Sequence, residues 1–135
     1  MSILRIPRHH LEHLEKLALE TYPEECCGVL LGQTRTVSTI WPTANAHGGA
    51  RFDRYAIDPV ELLEVYKSAR ETGCQVIGYY HSHPDRSAVP SATDLASALP
   101  DVSYLILEVS VERVRDVRAW RLSVESKGFI EEHIR

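Results

Sequence analysis

Two histidines, a proline and a nearby capping motif are the residues in this 135-residue chain whose types and spacing can do chemistry. The segment reads His81-Ser82-His83-Pro84, then six residues, then Ser91-Ala92-Thr93-Asp94. Residues two apart in a strand face the same side, so His81 and His83 present two imidazoles side by side at a strand end. Asp94 falls one helical turn into the next helix and can return as a third ligand. Two nitrogens and one carboxylate oxygen make three protein ligands. A catalytic zinc site commonly uses three and leaves its fourth position to water. Each half also has an ordinary reading. Paired histidines often simply end a strand, and Ser91-x-x-Asp94 is also a capping box with Ser91 as its N-cap. The readings are compatible, because a capped carboxylate is a held carboxylate.

These residues need a scaffold, and the chain supplies one in alternating pieces. Leu11, Leu14, Leu17 and Ala18 recur at helical spacing between polar residues, which predicts a helix over 8–22 stopped by Pro23. The apolar run from Cys26 to Leu31, closed by Gly32, reads as a buried strand. Thr36 to Trp41 reads as its hairpin partner. Residues 42–54 carry Asn45, Gly48 and Gly49 and read as a loop, with a short strand expected over Arg54 to Ile57. Asp58-Pro59 is a helix start. That helix would turn Val60, Leu63 and Tyr66 inward and end near Gly73. Cys74 to His83 reads as a strand running from the core into polar residues, 84–90 as a loop and Ser91 to Leu99 as a short helix. Strands are expected over Tyr104–Val109, Val114–Trp120 and Leu122–Phe129. The result is an α/β or α+β fold, in which two long helices and a short one flank a mixed sheet. One domain over residues 1–135 is expected.

Composition narrows the function classes. Hydrophobic residues make up 44% and charged residues 25% of the chain, close to a soluble globular average. No apolar run approaches the ~20 residues that span a bilayer, and charged residues interrupt the start where a signal peptide would lie. The formal net charge of −4 argues against a general nucleic-acid binder. Three cysteines, two of them adjacent, give no disulfide framework, so a reducing cytoplasm fits. Cys26, Cys27 and Cys74 read as small buried hydrophobes. His9, His10 and His13 lie on a polar helix face.

The full pattern of His81-x-His83-Pro84 followed by Ser91-x-x-Asp94 resembles the JAMM signature of the MPN-plus (Mov34/PAD-1) metalloproteases. Upstream, Tyr22-Pro23-Glu24-Glu25-Cys26-Cys27-Gly28-Val29-Leu30-Leu31-Gly32 is similar to that family's first helix-to-strand junction, where a glutamate sits three residues before a glycine. The resemblance covers most of the chain. It implies the MPN fold, which is cytidine-deaminase-like, and one zinc per chain. It also implies His81, His83 and Asp94 as the ligands, Glu25 as the general base and Ser91 as a donor to the oxyanion. Those roles are physically coherent. Zinc lowers the pKa of water from 15.7 to roughly 7, and a carboxylate beside that water can carry its proton to the leaving amine. Strand alternation separates Glu24 from Glu25 and sends Ser82 to the face opposite the histidines, where a structural role is expected.

The activity this implies is hydrolysis of the amide bond after the C-terminal Gly-Gly of a ubiquitin-like or sulfur-carrier protein of the β-grasp type. At 135 residues the chain resembles the short stand-alone prokaryotic members. Those release a C-terminal adduct such as cysteine or expose the Gly-Gly end. Strand addition at a sheet edge would bind the extended tail, and the His47-Gly48-Gly49 loop lies near the expected substrate side. The alternative, a non-catalytic MPN scaffold, would lack some of the ligands that are complete here. A zinc deaminase would need His-x-Glu and Pro-Cys-x-x-Cys, and this chain has neither.

Overall fold

The computed structural model describes residues 2–125 and 127–135. The first helix, α1 (Arg8–Thr21), follows a two-residue strand, β1 (Ile3–Leu4). Its helical repeat buries Leu14 and Ala18 completely and packs Leu11 and Leu17 against the same core. The helix ends just before Tyr22-Pro23, as a proline dictates.

Next come β2 (Cys27–Gln33) and β3 (Thr36–Thr43), joined by a two-residue turn. Both turn residues, Thr34 and Arg35, take positive φ (51° and 62°). Primed hairpin turns need that geometry to match the strand twist. Gly28 permits the sheet to close here: a Cβ at this position would lie 2.5 Å from the Trp41 carbonyl oxygen. The second helix, α2 (Pro59–Thr72), starts at an Asp58 cap whose carboxylate accepts from the Val60 and Glu61 amides, and ends at Gly73 with φ 71°. It leads into β4 (Gln75–Pro84), then α3 (Ala92–Ala96), β5 (Ser103–Val109), β6 (Val114–Ser123) and β7 (Gly128–Ile134).

The seven strands form one mixed sheet in the order β1-β7-β6-β5-β4-β2-β3. β4 runs antiparallel to β2 and parallel to β5, so it is central and its end is covered on both sides. One face packs on α1 through Leu30, Ile77, Leu105 and Leu107; the other packs on α2 through Val29, Leu31, Val65, Ala69 and Tyr79. The α+β class and the two long helices and one short helix agree with the sequence reading.

Several elements differ from it. Arg54–Ile57 is not a strand. The Arg54 carbonyl and the Ala56 amide bond to the Asn45 side chain instead, at 2.9 and 3.2 Å, which holds the segment as loop. On α2 the inward stripe is Leu62, Val65 and Ala69, while Val60 and Leu63 are 67% and 68% exposed. Ala69 is buried in that interface at 4% exposure. Tyr66 reaches inward only through its hydroxyl, 2.8 Å from that of Tyr79. The short helix spans 92–96 rather than 91–99, because the Leu99 amide leaves the helix to donate to the Tyr104 hydroxyl at 2.7 Å. β6 runs through Leu122 to Ser123, and the last strand is 128–134 rather than 122–129. Part of that expected strand, Ser126, lies outside the described residues. β1 had no sequence signal; it is two residues long and pairs in parallel with β7.

Candidate metal centre

The end of β4 carries the motif. His81, Ser82 and His83 are all buried, with His81 paired to Cys27 on one side and Ile106 on the other. Alternation holds as expected. Both imidazoles face one way, and the Ser82 hydroxyl, on the opposite side, accepts the Cys26 amide at 2.8 Å. Asp94 enters from α3. Ser91 caps that helix reciprocally: its hydroxyl accepts from the Asp94 amide at 3.1 Å, and its own amide donates to Asp94 Oδ2 at 2.8 Å. The capping reading of Ser91-x-x-Asp94 is therefore realised, and the cap aims the carboxylate.

His81, His83 and Asp94 come together. Their ligand atoms lie within 4.8 Å of one another. His81 Nε2 and His83 Nε2 are 3.1 Å apart, Asp94 Oδ1 is 3.2 Å from His81 Nε2, and Asp94 Oδ2 is 3.1 Å from His83 Nε2. His83 Nδ1 lies 2.8 Å from the Ser87 carbonyl oxygen. A carbonyl only accepts, so Nδ1 carries a proton and Nε2 is the atom turned to Asp94. Two imidazole nitrogens and a carboxylate that converge this closely are a donor set that fits a metal ion. Burial alone would push the Asp94 carboxyl up, but the histidine contacts and the Ser91 amide hold it far below the usual carboxylate range. The Tyr55 ring stacks on His81 with centroids 4.6 Å apart and closes one side of the centre.

Glu25 lies at the α1-to-β2 junction and is 1% exposed, whereas Glu24 beside it is exposed. Glu25 Oε2 pairs with the Arg86 guanidinium, and Oε1 is buried with no partner among the described residues. Its main chain is fixed too: the Glu25 amide donates to the Arg51 carbonyl at 2.7 Å, and the Glu25 carbonyl accepts from Asn45 Nδ2 at 3.2 Å. Burial raises the Glu25 carboxyl above its ordinary value, against the opposing pull of His81 and Arg86. Cys26 and Cys27 point elsewhere. Burial pushes both thiols up to about 11, so neither is a thiolate at neutral pH. His47 is spent on its own loop, where Nδ1 accepts the Gly49 amide at 3.1 Å.

A cleft of about 270 Å³ opens beside Asp94, lined by Tyr55, Ile57, Leu62, Tyr79 and Tyr104 among others. Its apolar, aromatic wall suits an extended peptide. Sequence reasoning missed Tyr55, Asn45 and Arg86. None has a spacing signal, because each reaches the centre from a loop.

Similarity to known proteins agrees with this geometry. The family described as "Prokaryotic homologs of the JAB domain" matches residues 7–123. The chain is 38% identical over 99 residues to a desampylase of Haloferax volcanii, covering 71% of this chain and 70% of that protein. It is 34% identical over 104 residues to a protein of Thermus thermophilus named "Probable TtuB-protein conjugate cleaving protease", covering 77% and 69%. A solution structure of a Desulfitobacterium hafniense protein superposes with a TM-score of 0.83 at 27% identity, covering 98% of this chain and 91% of that one. With the motif, the fold and most of its length in agreement, the chain belongs to the prokaryotic JAB-domain family, a branch of the JAMM-type proteins.

Proposed function

We propose that this protein is a zinc-dependent peptidase or isopeptidase that cleaves the amide bond following the C-terminal glycine of a ubiquitin-like or sulfur-carrier protein. The observation that carries this reading is the convergence of two buried imidazoles and the half-buried Asp94 carboxylate, beside the buried Glu25 carboxylate with one oxygen unpartnered among the described residues. His81, His83 and Asp94 would hold one zinc per chain. When bound, the zinc supplies Lewis-acid activation of water and of the scissile carbonyl. Glu25 Oε1 takes a proton from the attacking water as the C–O bond forms and gives it to the amine nitrogen as the C–N bond then breaks, releasing the amine and the carboxylate. The Ser91 hydroxyl accepts from the Asp94 amide, which leaves its own proton free to donate to the oxyanion.

The names of both relatives describe removal of, or cleavage from, protein conjugates, which supports the substrate class. The tail would lie extended along the cleft under Tyr55. We place the activity in one domain spanning residues 1–135 and in the cytoplasm, consistent with three free cysteines. Among the described residues no helix is long and apolar enough to cross a membrane.

The test is incubation of the purified protein with carrier conjugates and C-terminal adducts, read by mass spectrometry with and without a chelator. Release of a carrier ending in Gly-Gly, abolished by chelator and restored by zinc, is expected. Absence of cleavage across carriers by zinc-loaded protein, or cleavage untouched by chelation, overturns the reading.

A further inference from the structure

We infer that Arg86 is a positioning residue for the reaction, orienting the Glu25 carboxylate and tying it to the 46–54 loop. The inference rests on the proposed role of Glu25 as base. A carboxylate has two equivalent oxygens and rotates between them unless something distinguishes them. Here the Arg86 guanidinium takes Oε2, and Oε1 alone remains free in the buried site. The guanidinium is itself fixed at a second point, because its Nη1 donates to the Phe52 carbonyl at 3.0 Å. One planar fork thus joins the base to the loop that also supplies the Arg51 carbonyl to the Glu25 amide.

The segment bearing Arg86 is anchored residue by residue. The Asp85 amide donates to the Val109 carbonyl at 2.8 Å, and the Asp85 carboxylate accepts from the Tyr22 hydroxyl at 2.5 Å. The Ser87 carbonyl sets the His83 ring at 2.8 Å, and the Ala88 carbonyl accepts from the Trp120 indole at 2.9 Å. Four consecutive residues therefore hold the base, one metal-facing histidine and the loop in a single frame. A surface ion pair would contribute little. This one has a partner, Glu25, that is 1% exposed and carries an orphan oxygen whose direction the pair decides. Lysine cannot reproduce the arrangement fully, since a point-charge ammonium lacks the fork that spans two acceptors.

The experiment compares wild type with Arg86→Ala, Arg86→Gln and Arg86→Lys, with Glu25→Gln as control, on a carrier conjugate at saturating zinc. Misplacing a reacting group by about 1 Å costs on the order of a hundredfold, so kcat of Arg86→Ala should fall by roughly 10–100-fold, with KM within about threefold and zinc content unchanged. Arg86→Lys should recover part of the rate. Millimolar guanidinium should raise Arg86→Ala but leave Glu25→Gln dead. Independently of turnover, amide exchange across residues 46–54 should speed up in Arg86→Ala and Arg86→Gln. A wild-type kcat in Arg86→Ala or Arg86→Gln overturns the inference, as does a rate loss that neither lysine nor guanidinium relieves. If wild type cleaves no conjugate, the proposed function falls and exchange decides the frame: unchanged protection of 46–54 overturns that too. Should Arg86→Ala not fold, the Gln and Lys variants carry both readouts.

Discussion

Ser91 is an N-cap in this structure and an oxyanion donor in the proposed reaction, and the two roles differ enough in size to be separated. As an N-cap it accepts one bond, from the Asp94 amide at 3.1 Å. The reciprocal bond from its own amide to Asp94 Oδ2 uses the main chain and survives substitution. Ser91→Ala therefore removes half of the box, and a cost of about 0.5–1 kcal/mol is expected, at the low end of cap losses. Carried entirely into Asp94 positioning, about 1 kcal/mol weakens metal binding roughly fivefold, which excess zinc overcomes. Loss of an oxyanion donor costs about 10²–10³ in kcat, and added zinc does not repair it. Ser91→Gly sharpens the contrast, because glycine at an N-cap costs only a few tenths of a kcal/mol while lacking the hydroxyl. The assays are urea unfolding and steady-state cleavage over a zinc titration. Both variants should lose at least about a hundredfold in kcat at saturating zinc. Should Ser91→Gly turn over at the wild-type rate, Ser91 is a cap only and the oxyanion assignment is wrong.

Other expectations follow from the same geometry. The purified protein should hold about one zinc per chain by elemental analysis, and His83→Ala or Asp94→Ala should lose most of it; full occupancy in both would refute the ligand assignment. Glu25→Gln should keep zinc and lose at least about a hundredfold in rate, while Glu24→Gln, at an exposed position, should match wild type; a dead Glu24→Gln would reverse the assignment. Glu25 also predicts a pH effect on stability. Its carboxyl is raised by burial, so the folded state binds the proton more tightly than the unfolded state, and stability falls as pH rises through the folded value. Metal-free Glu25→Gln, which resembles the protonated form, should melt above wild type at pH 8, with the gap closing on acidification; a gap that widens in acid would contradict this. Ser82→Ala strands the buried Cys26 amide and should cost about 1–3 kcal/mol in urea unfolding; no loss would mean that water replaces the hydroxyl.

The parts of this protein that sequence alone revealed are those set by local chemistry. The histidines follow from strand alternation in a single strand, and Asp94 from a cap three residues away, so neither needs knowledge of the rest of the chain. α1 was legible for the same reason, since its apolar repeat admits one inward face. α2 admits two, and the stripe through Val60, Leu63 and Tyr66 is as periodic as the one that packs. The tertiary packing selects Leu62, Val65 and Ala69, which local periodicity does not distinguish. Arg54–Ile57 misled because its β-like composition is overruled by Asn45, nine residues away, which takes its hydrogen bonds.

The frame around the centre was invisible for a deeper reason. Arg86 lies in the six-residue gap of the motif, where nothing in the spacing marks it, and its partners are 34 and 61 residues distant. Trp120 holds that gap from 32 residues away. The candidate ligands thus come from short-range pattern, while the groups that orient them come from whichever loops the topology brings together. Relatives that share the ligands can therefore differ in the frame, and differences in rate and substrate among them should map to positions such as Arg86 and Tyr55 rather than to the motif itself.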